Sequence, residues 1–290
     1  MSNDTNNSLV SLGGLSEPAN TLIKKVSKAI GGLCEPWQIK RVTKAKAEAA
    51  IREAQTAIQI TDLQRRAAQR WLEEEAKKQK NIEDITVQAI PHLKEDTNAE
   101  NMDDDWIMNF FDKSRIISNT EMQSLWARVL AGEANNPGTY SKRTVNLLGG
   151  LDKSDAELFT KLCGFCWVVG DTVPLVFDVK SEIYRIHGIH FETLGHLASI
   201  GLVQFEPLTN FKRIGFPKKI RVYYYENLLE LNLPKDDKNE LTIGHIMFTK
   251  IGRELAPICG SQPVDGFVEY VKEKWKMYHP EILKAASFKR

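Results

Sequence analysis

The chain has 290 residues, of which 42% are hydrophobic and 27% are charged, and these fractions are ordinary for a globular protein with a sizeable core. The formal net charge is only +1, so any basic surface for nucleic acid has to be local. Four cysteines are too few for a disulfide framework, and the polar N-terminus lacks the pattern of a secretory signal. No apolar run approaches the roughly 18 residues of a membrane span. We therefore expect a cytoplasmic protein.

Residues 1–36 are predicted to form a polar tail and an amphipathic helix. The helix begins near Ser16, with Pro18 in its first turn, and its lysines fall away from an apolar stripe. We favour packing of this stripe on its own protein or on a partner chain. The alternative is contact with an anionic membrane surface, peripheral to the inner membrane. The candidate contact residues are Leu15, Leu22, Ile23, Val26, Ile30 and Leu33.

Residues 37–93 are predicted to form a long helical arm, because no glycine or proline interrupts the chain before Pro91. An unbroken helix over residues 37–90 is about 80 Å long, so it has to project, bend back or pair with another copy. Leu63, Ala67 and Trp71 continue a partial apolar seam, although no regular heptad is maintained. We expect self-association through this arm.

Within the arm a short basic run is followed by a short acidic run. Arg65, Arg66 and Arg70 precede the glutamates at 73–75, and Arg70 stands four residues before Glu74. This spacing favours a solvated helix face with intrahelical ion pairs over an anion-binding patch.

Residues 94–170 are predicted to form a central helical bundle. Asp103–Asp105 place negative charge at a helix N-terminus, and we prefer this interpretation to a metal site because the alternating ligands of a calcium loop are missing. Capping boxes at Ser118–Glu121 and Ser154–Glu157 predict two further helix starts.

Cys163 and Cys166 have the C-x-x-C spacing. A zinc site needs a second pair of ligands, and a redox motif needs a preceding strand, so we interpret the two cysteines as small core residues inside an apolar helix. His187 and His190 do not form a metalloprotease motif, and the sequence contains no phosphate-binding glycine loop or nucleophile elbow. We therefore predict no catalytic residue, no metal site and no cofactor.

Residues 171–290 alternate short strands and short helices, which predicts a winged-helix-like α+β domain with a C-terminal helix. Residues 190–200 take the place of the recognition helix but contain no Arg or Lys, so we favour protein binding over DNA binding. Nucleic acid remains an alternative partner, because five basic residues are expected to decorate the first strand pair, or wing, and to contact phosphates. These residues are Lys212, Arg213, Lys218, Lys219 and Arg221.

Several of these segments together resemble a known family. The runs DDDWIMNFF, EMQSLWARVLAGEANNPGTYSKRT and GLDKSDAELF are similar to the bacterial family known as domain of unknown function 2806. The upstream segments GLSEPANTLIKKVSKAIGGL and RAAQRWLEEEAKKQKNIEDI are similar to it as well, so the resemblance covers most of the chain. It implies no activity. The helical rhythm is also similar to domains of bacterial abortive-infection proteins, which associates the chain with phage defence.

These observations predict a mainly α protein with a smaller α+β part: a long N-terminal helical arm, a central helical bundle and a C-terminal winged-helix-like domain. We expect a non-enzymatic bacterial interaction or oligomerisation protein that binds a protein partner in anti-phage defence. The alternatives are a nucleic-acid-binding regulator that acts through the basic wing and a membrane-surface effector that acts through residues 15–33.

Overall fold

The computed structural model describes residues 15–31 and 61–280 of the chain. The chain forms two compact units, of which the first ends at Gly149 and the second begins at Gly150. Helices make up the described part of the first unit, and residues 150–280 of the second combine short helices with antiparallel strands. The prediction of a mainly α protein with a smaller α+β part is confirmed.

The described part of the first unit consists of α-helices joined by short 3-10 turns at Ile90–His92 and Ala99–Asn101. The helices are α1 (Glu17–Ile30), α2 (Asp62–Ala89), α3 (Asp104–Ser114), α4 (Thr120–Asn135) and α5 (Lys142–Gly149).

Aromatic side chains of α3 and α4 form the centre of the first unit. Phe110 stacks on Trp106 with ring centroids 5.1 Å apart, and it meets Trp126 edge-on at 5.0 Å. All three side chains are buried. The indole N–H of Trp106 donates to the carbonyl of Tyr140 at 2.7 Å, so the aromatic core leaves this donor satisfied.

Helix α2 begins at a cap and does not continue an unbroken rod. Thr61 has an extended backbone, its hydroxyl accepts from the amide of Gln64 at 3.3 Å, and the Gln64 side chain accepts from the amide of Thr61 at 2.9 Å. This capping box begins a new helix, so the predicted unbroken helix over residues 37–90 is wrong at residue 61. Residues 32–60 lie outside the described residues. The 28 residues of α2 extend about 42 Å.

The helix start at Thr120 lies one residue beyond the position that the sequence pattern indicated. Asn119 caps α4 by accepting from the amide of Met122 at 3.0 Å, so Asn119 takes the place predicted for Ser118. Both residue types are good caps, and the helix begins after the second of two adjacent candidates.

The second unit begins with α6 and then alternates strands and helices. Its helices are α6 (Lys153–Cys163), α7 (Glu182–Arg185), α8 (Phe191–Ser199), α9 (Lys250–Leu255) and α10 (Phe267–Tyr278). Its strands are β1 (Cys166–Val169), β2 (Asp171–Pro174), β3 (Val203–Phe205), β4 (Phe211–Phe216), β5 (Lys219–Tyr224), β6 (Asn227–Asn232), β7 (Asn239–Gly244) and β8 (Ile246–Phe248).

Helix α6, in contrast to α4, begins earlier than predicted. It follows Asp152, whose amide donates to the side chain of Asp155 at 3.3 Å, so the cap lies two residues before the predicted box at Ser154–Glu157. The predicted helix over residues 190–200 agrees with α8, and the predicted C-terminal helix agrees with α10. Thr249 caps α9 by accepting from the amide of Gly252 at 3.1 Å.

Within residues 150–280 the strands form three small sheets, with orders β2-β1-β5-β6, β3-β8 and β4-β7. All paired neighbours are antiparallel. The consecutive strands β4 and β5 therefore lie in different sheets, because β4 pairs with β7 and β5 pairs with β6. The expectation that the five basic residues decorate one strand pair is wrong.

The predicted boundary at residue 170 falls inside the second unit. Strands β1 and β2 pair as a hairpin in the register Val169 to Asp171, and Gly170 forms the turn with φ 76°. A boundary at this turn separates two hydrogen-bonded strands. The division between compact units instead lies between Gly149 and Gly150.

The core of the second unit is organised around Trp167. This side chain stacks on Tyr224 of β5 with centroids 5.2 Å apart and meets Trp275 of α10 edge-on at 5.4 Å. The indole N–H of Trp275 donates to the carbonyl of Thr242 at 3.0 Å. Helix α10 is thereby fixed on the sheets through its buried face, which carries Trp275.

Candidate functional site

The apolar stripe of α1 is packed inside the first unit. Leu22, Ile23 and Val26 are buried, and α1 contacts α3 and the 3-10 turn at Ala99–Asn101. These three side chains are therefore not available to a membrane or to a partner chain, and the membrane interpretation is wrong for them. Of the other candidate contact residues, Leu15 and Ile30 are partly exposed and Leu33 lies outside the described residues.

A charged pair also fixes α1 on α3. The ammonium of Lys25 lies 2.7 Å from a carboxylate oxygen of Asp104. This hydrogen bond lowers the pKa of Asp104 below its usual value of 3.8. Lys25, which the sequence pattern placed on the polar face of α1, thus helps to hold α1 on α3.

Helix α2 has two halves with opposite environments. None of residues 62–80 is buried, and we call residues 62–80 the exposed half of α2. Within this stretch, residues 62–71 are all exposed. The other half packs on α4. Its buried residues are Asn81, Ile82, Ile85, Thr86 and Ala89.

The exposed half of α2 carries two large apolar side chains in solvent. Leu63 is 69% exposed and Trp71 is 60% exposed. Together with Ala67 they follow the i, i+4, i+8 spacing, so they share one face of the helix. Single exposed apolar residues are common on protein surfaces, but an exposed tryptophan on a helix stretch without buried residues indicates a candidate interaction surface.

The charges of the exposed half pair along the helix, as the sequence predicted. Arg65 and Arg66 lie 3.5 Å and 3.7 Å from carboxylate oxygens of Asp62, and Arg70 lies 3.5 Å from Glu74. All of these side chains are largely exposed. Exposed pairs of this kind stabilise a helix by only about 0.5 kcal/mol each.

Four of the five candidate phosphate contacts are already paired with carboxylates of the second unit. A phosphate has to displace these carboxylates before it can bind, and the fifth residue, Lys219, is exposed on β5. The pairs are Lys212 with Glu240 at 2.6 Å, Arg213 with Asp171 at 3.0 Å, Lys218 with Asp236 at 2.9 Å and Arg221 with Glu230 at 3.0 Å.

The paired cations change the titration of two of their partners. The hydrogen bond from Lys212 lowers the pKa of Glu240, and the one from Lys218 lowers the pKa of Asp236. Both carboxylates are thus ionised near neutral pH and cancel the charge of the neighbouring lysine. A cavity of about 310 Å³ beside Arg213 has acidic as well as basic lining residues. The surface is therefore of mixed sign.

The C-x-x-C residues do not lie inside a helix, so that interpretation is wrong. Cys163 is the last residue of α6, and Cys166 is the first residue of β1. Cys259 lies in the segment after α9, where its carbonyl accepts from the hydroxyl of Thr160 on α6 at 3.3 Å, and its thiol interacts with that of Cys163. No local signal predicted this cluster, because Cys259 is far from the other two cysteines in sequence.

The acidic run at the start of α3 serves as a cap. Asp103 accepts from the amides of Asp105 and Trp106 at 2.7 Å and 3.3 Å. Among residues 15–31 and 61–280, no group of three or more His, Cys, Asp or Glu side chains is arranged to hold a metal ion. No helix in these same ranges is long and apolar enough to cross a membrane.

Fold and surface together define a two-unit, mainly helical α+β protein whose helix α2 carries an apolar face in solvent. Residues 65–272 match the family model described as "Protein of unknown function (DUF2806)", and the chain belongs to that family. No curated protein matches the chain, and no solved structure matches it either. The resemblance that the sequence motifs indicated is confirmed.

Proposed function

We propose that the protein is a non-enzymatic interaction protein that associates with a second copy of itself through the exposed half of α2. The observation that carries this proposal is the 60% exposure of Trp71, on a helix stretch in which no residue from 62 to 80 is buried. In solvent, the side chains of the exposed half form only intrahelical ion pairs. Packing against another helix buries the apolar face as well.

The apolar face has the composition of an interface centre. Tryptophan is enriched among residues that dominate binding energy, and Leu63 and Ala67 extend the same face by two turns. The apolar face itself spans about 12 Å, and the exposed half that carries it runs along residues 62–80, about 28 Å of helix. An interface of this length is at the small end of the usual range, so we expect a dissociation constant on the order of micromolar.

The charge order of the exposed half favours a second copy in antiparallel orientation. The basic run at 65–70 and the acidic run at 73–75 lie on either side of a midpoint close to Trp71. A two-fold axis there sets Arg66 and Arg70 of one copy near Glu75 and Glu73 of the other, while Arg65 faces Lys77. A parallel pair in register sets like charges against each other. The exposed intrahelical pairs are weak and can exchange for these contacts.

The test of self-association is the molecular mass in solution, measured by sedimentation velocity from about 1 to 100 μM, a span around the expected dissociation constant. Wild-type protein is expected to dimerise, and Trp71→Glu is expected to remain monomeric. Val87→Glu is the matched control, because Val87 is 38% exposed on the same helix but lies outside the exposed half. A monomeric wild type, or dimerisation that survives Trp71→Glu, overturns the proposal.

The orientation is tested by disulfide trapping. In the antiparallel arrangement residue 63 of one copy faces residue 79 of the other, while the two copies of residue 63 are separated by about 24 Å of helix. A mixture of Leu63→Cys and Gln79→Cys proteins is expected to form a heterodimeric disulfide. Leu63→Cys alone is expected to give none, and an efficient Leu63→Cys homodimer contradicts the antiparallel arrangement.

The biological setting that we propose is anti-phage defence in bacteria, supported by the similar helical rhythm of abortive-infection proteins. A change in plaquing efficiency between cells with wild-type protein and cells with Trp71→Glu is the expected result. Equal plaquing in the presence and absence of the wild-type chain across a phage panel removes this setting, but leaves the dimer proposal intact.

We propose a central helical bundle for the first unit and a winged-helix-like fold for the second. The support for the second is the order of helix α8, strand β3 and strand β8 followed by helix α9. Leu194 and Leu197 of α8 are buried, as in a helix that packs one face on its domain. Nucleic-acid binding and membrane-surface action have less support than self-association. Four of the five wing cations are paired with carboxylates, and the centre of the α1 stripe is buried.

A further inference from the structure

Three cysteine thiols of the second unit meet at one point of the fold. Cys163 ends α6, Cys166 begins β1, and Cys259 follows a 3-10 turn at Ala256–Ile258. The carbonyl of Cys259 accepts from the hydroxyl of Thr160 at 3.3 Å, which places Cys259 one helical turn from Cys163 on α6. The thiol of Cys163 interacts electrostatically with those of Cys166 and Cys259. All three cysteines are free. Their convergence comes from three separate elements and is a property of the tertiary structure.

The backbone around the cluster is held in place by a buried tyrosine. The hydroxyl of Tyr224 donates to the carbonyl of Gly164 at 2.7 Å and accepts from the amide of Val264 at 2.6 Å. These two bonds connect the segment that carries Cys163 and Cys166 to the segment that follows Cys259. The thiols are therefore positioned by a rigid frame.

The cysteines of the cluster differ in their environments. Cys163 is buried, and burial raises the pKa of its thiol well above the usual value, so it stays protonated. Cys259 is only partly buried, and its thiol donates to the carbonyl of Ala256 at 3.1 Å. The neighbouring Cys163 thiol lowers the pKa of Cys259 to about 7 against the effect of burial, and the amide and hydroxyl of Ser261 and the hydroxyl of Thr160 add to this effect. A partly exposed thiol with a lowered pKa thus lies beside a buried thiol that stays protonated.

A small cavity adjoins the cluster, and its lining includes Gly260, the residue next to Cys259 in the chain. Its volume is about 260 Å³, and both Cys163 and Cys166 line it. None of its lining side chains is charged; the other polar members are Thr172, Tyr223, Tyr225 and Ser261. A neutral cavity of this size admits a small uncharged molecule and gives no counter-charge to an anionic ligand.

We propose that Cys259 and Cys163 form a peroxide-reactive dithiol, in which Cys259 is the attacking residue and Cys163 is the resolving residue. The inference is independent of self-association through α2, because every residue involved lies in the second unit. A resident metal is the weaker interpretation, because the described residues include no group arranged to hold one.

The reaction consumes one hydrogen peroxide and yields one disulfide. The thiolate sulfur of Cys259 attacks one peroxide oxygen, the O–O bond breaks, and Cys259 sulfenic acid and hydroxide are formed. The sulfur of Cys163 then attacks the Cys259 sulfur, the S–O bond breaks, and the released hydroxide takes the proton of the Cys163 thiol to form water. The two cysteines are oxidised by two electrons, and the peroxide is reduced.

The test exposes full-length Cys34→Ser protein to hydrogen peroxide and identifies disulfides by peptide mass spectrometry. We expect a Cys163–Cys259 disulfide and its loss by at least about tenfold in Cys259→Ser. In Cys163→Ser the sulfenic acid of Cys259 has no resolving thiol, so we expect dimedone to label Cys259. A disulfide between Cys163 and Cys166 instead, or no dimedone adduct on Cys259, overturns the proposal.

A second measurement separates an activated thiol from a merely accessible one. The rate of iodoacetamide alkylation of Cys259 is expected to reach half its maximum near pH 7, because the thiolate is the nucleophile. Cys163→Ala removes the neighbouring thiol that contributes most to this low pKa, so the midpoint is expected to move to higher pH. Circular dichroism establishes that each variant is folded. An unchanged midpoint in folded Cys163→Ala contradicts the proposed pairing.

Discussion

The hydroxyl of Tyr224 makes a sharp test of how the second unit is held together. It is buried between two backbone groups, the carbonyl of Gly164 and the amide of Val264, and it bonds both. Tyr224→Phe deletes only this oxygen. The ring keeps its stack on Trp167 at 5.2 Å, so the packing of the aromatic core is retained. The variant therefore isolates the two hydrogen bonds.

The expected loss follows from the two groups that are left without a partner. Gly164 and Val264 are buried, so water does not replace the hydroxyl without a local opening. A buried donor or acceptor that loses its partner costs about 1–3 kcal/mol. We expect Tyr224→Phe to lower the free energy of unfolding by about 2–4 kcal/mol, a large part of the roughly 5–15 kcal/mol that stabilises a typical domain.

The assay is urea unfolding followed by tryptophan fluorescence and circular dichroism. The matched control is Tyr225→Phe, because the neighbouring hydroxyl bonds the half-buried Ser261 at 2.9 Å and Tyr225 itself is exposed. We expect the control to change the free energy of unfolding by less than about 0.5 kcal/mol. If Tyr224→Phe is as stable as Tyr225→Phe, the argument that the tyrosine frame holds the cysteine cluster fails.

Two further predictions concern backbone space and acid stability. Gly244 has φ +100° and a Cβ there meets the carbonyl oxygen of Val176 at 2.2 Å, so Gly244→Ala is expected to cost at least about 3 kcal/mol in urea unfolding. Gly138→Ala, at φ +90° with open space around it, is expected to cost only about 1 kcal/mol, and equal costs contradict the reasoning. Lys25 lowers the pKa of Asp104 in the folded state, so this contribution to stability is present above the usual pKa of 3.8 and is lost as the pH falls through the lower folded value. Lys25→Met is expected to flatten the decline of unfolding temperature below about pH 4, and an unchanged decline excludes the pair as its source.

Local patterns were sufficient where one segment carries the whole signal. The acidic run at Asp103 predicted the start of α3, because capping involves only neighbouring residues. The apolar spacing of Phe267, Val271 and Trp275 predicted the buried face of α10 for the same reason. A local signal is also present at Thr61, because Thr61 and Gln64 have capping-box spacing. This capping box interrupts the predicted helix over residues 37–90.

The candidate surfaces depended on contacts that no local pattern contains. The amphipathic pattern of α1 left open whether its stripe meets a membrane or protein, and its packing on α3 decided for protein. The basic residues of β4 and β5 had the composition of a phosphate-binding wing. Strand pairing and distant carboxylates then separated them and paired four of the five.

The sequence by itself determined the mainly helical class, the family and most helix positions, because propensity, capping and periodicity act over a few residues. Only the tertiary structure decided which surfaces are free, because burial is set by elements distant in sequence. It left Trp71 in solvent and enclosed Leu22. It also brought Cys259 to Cys163, since the approach of two thiols from separate elements is determined by the packing of the whole unit.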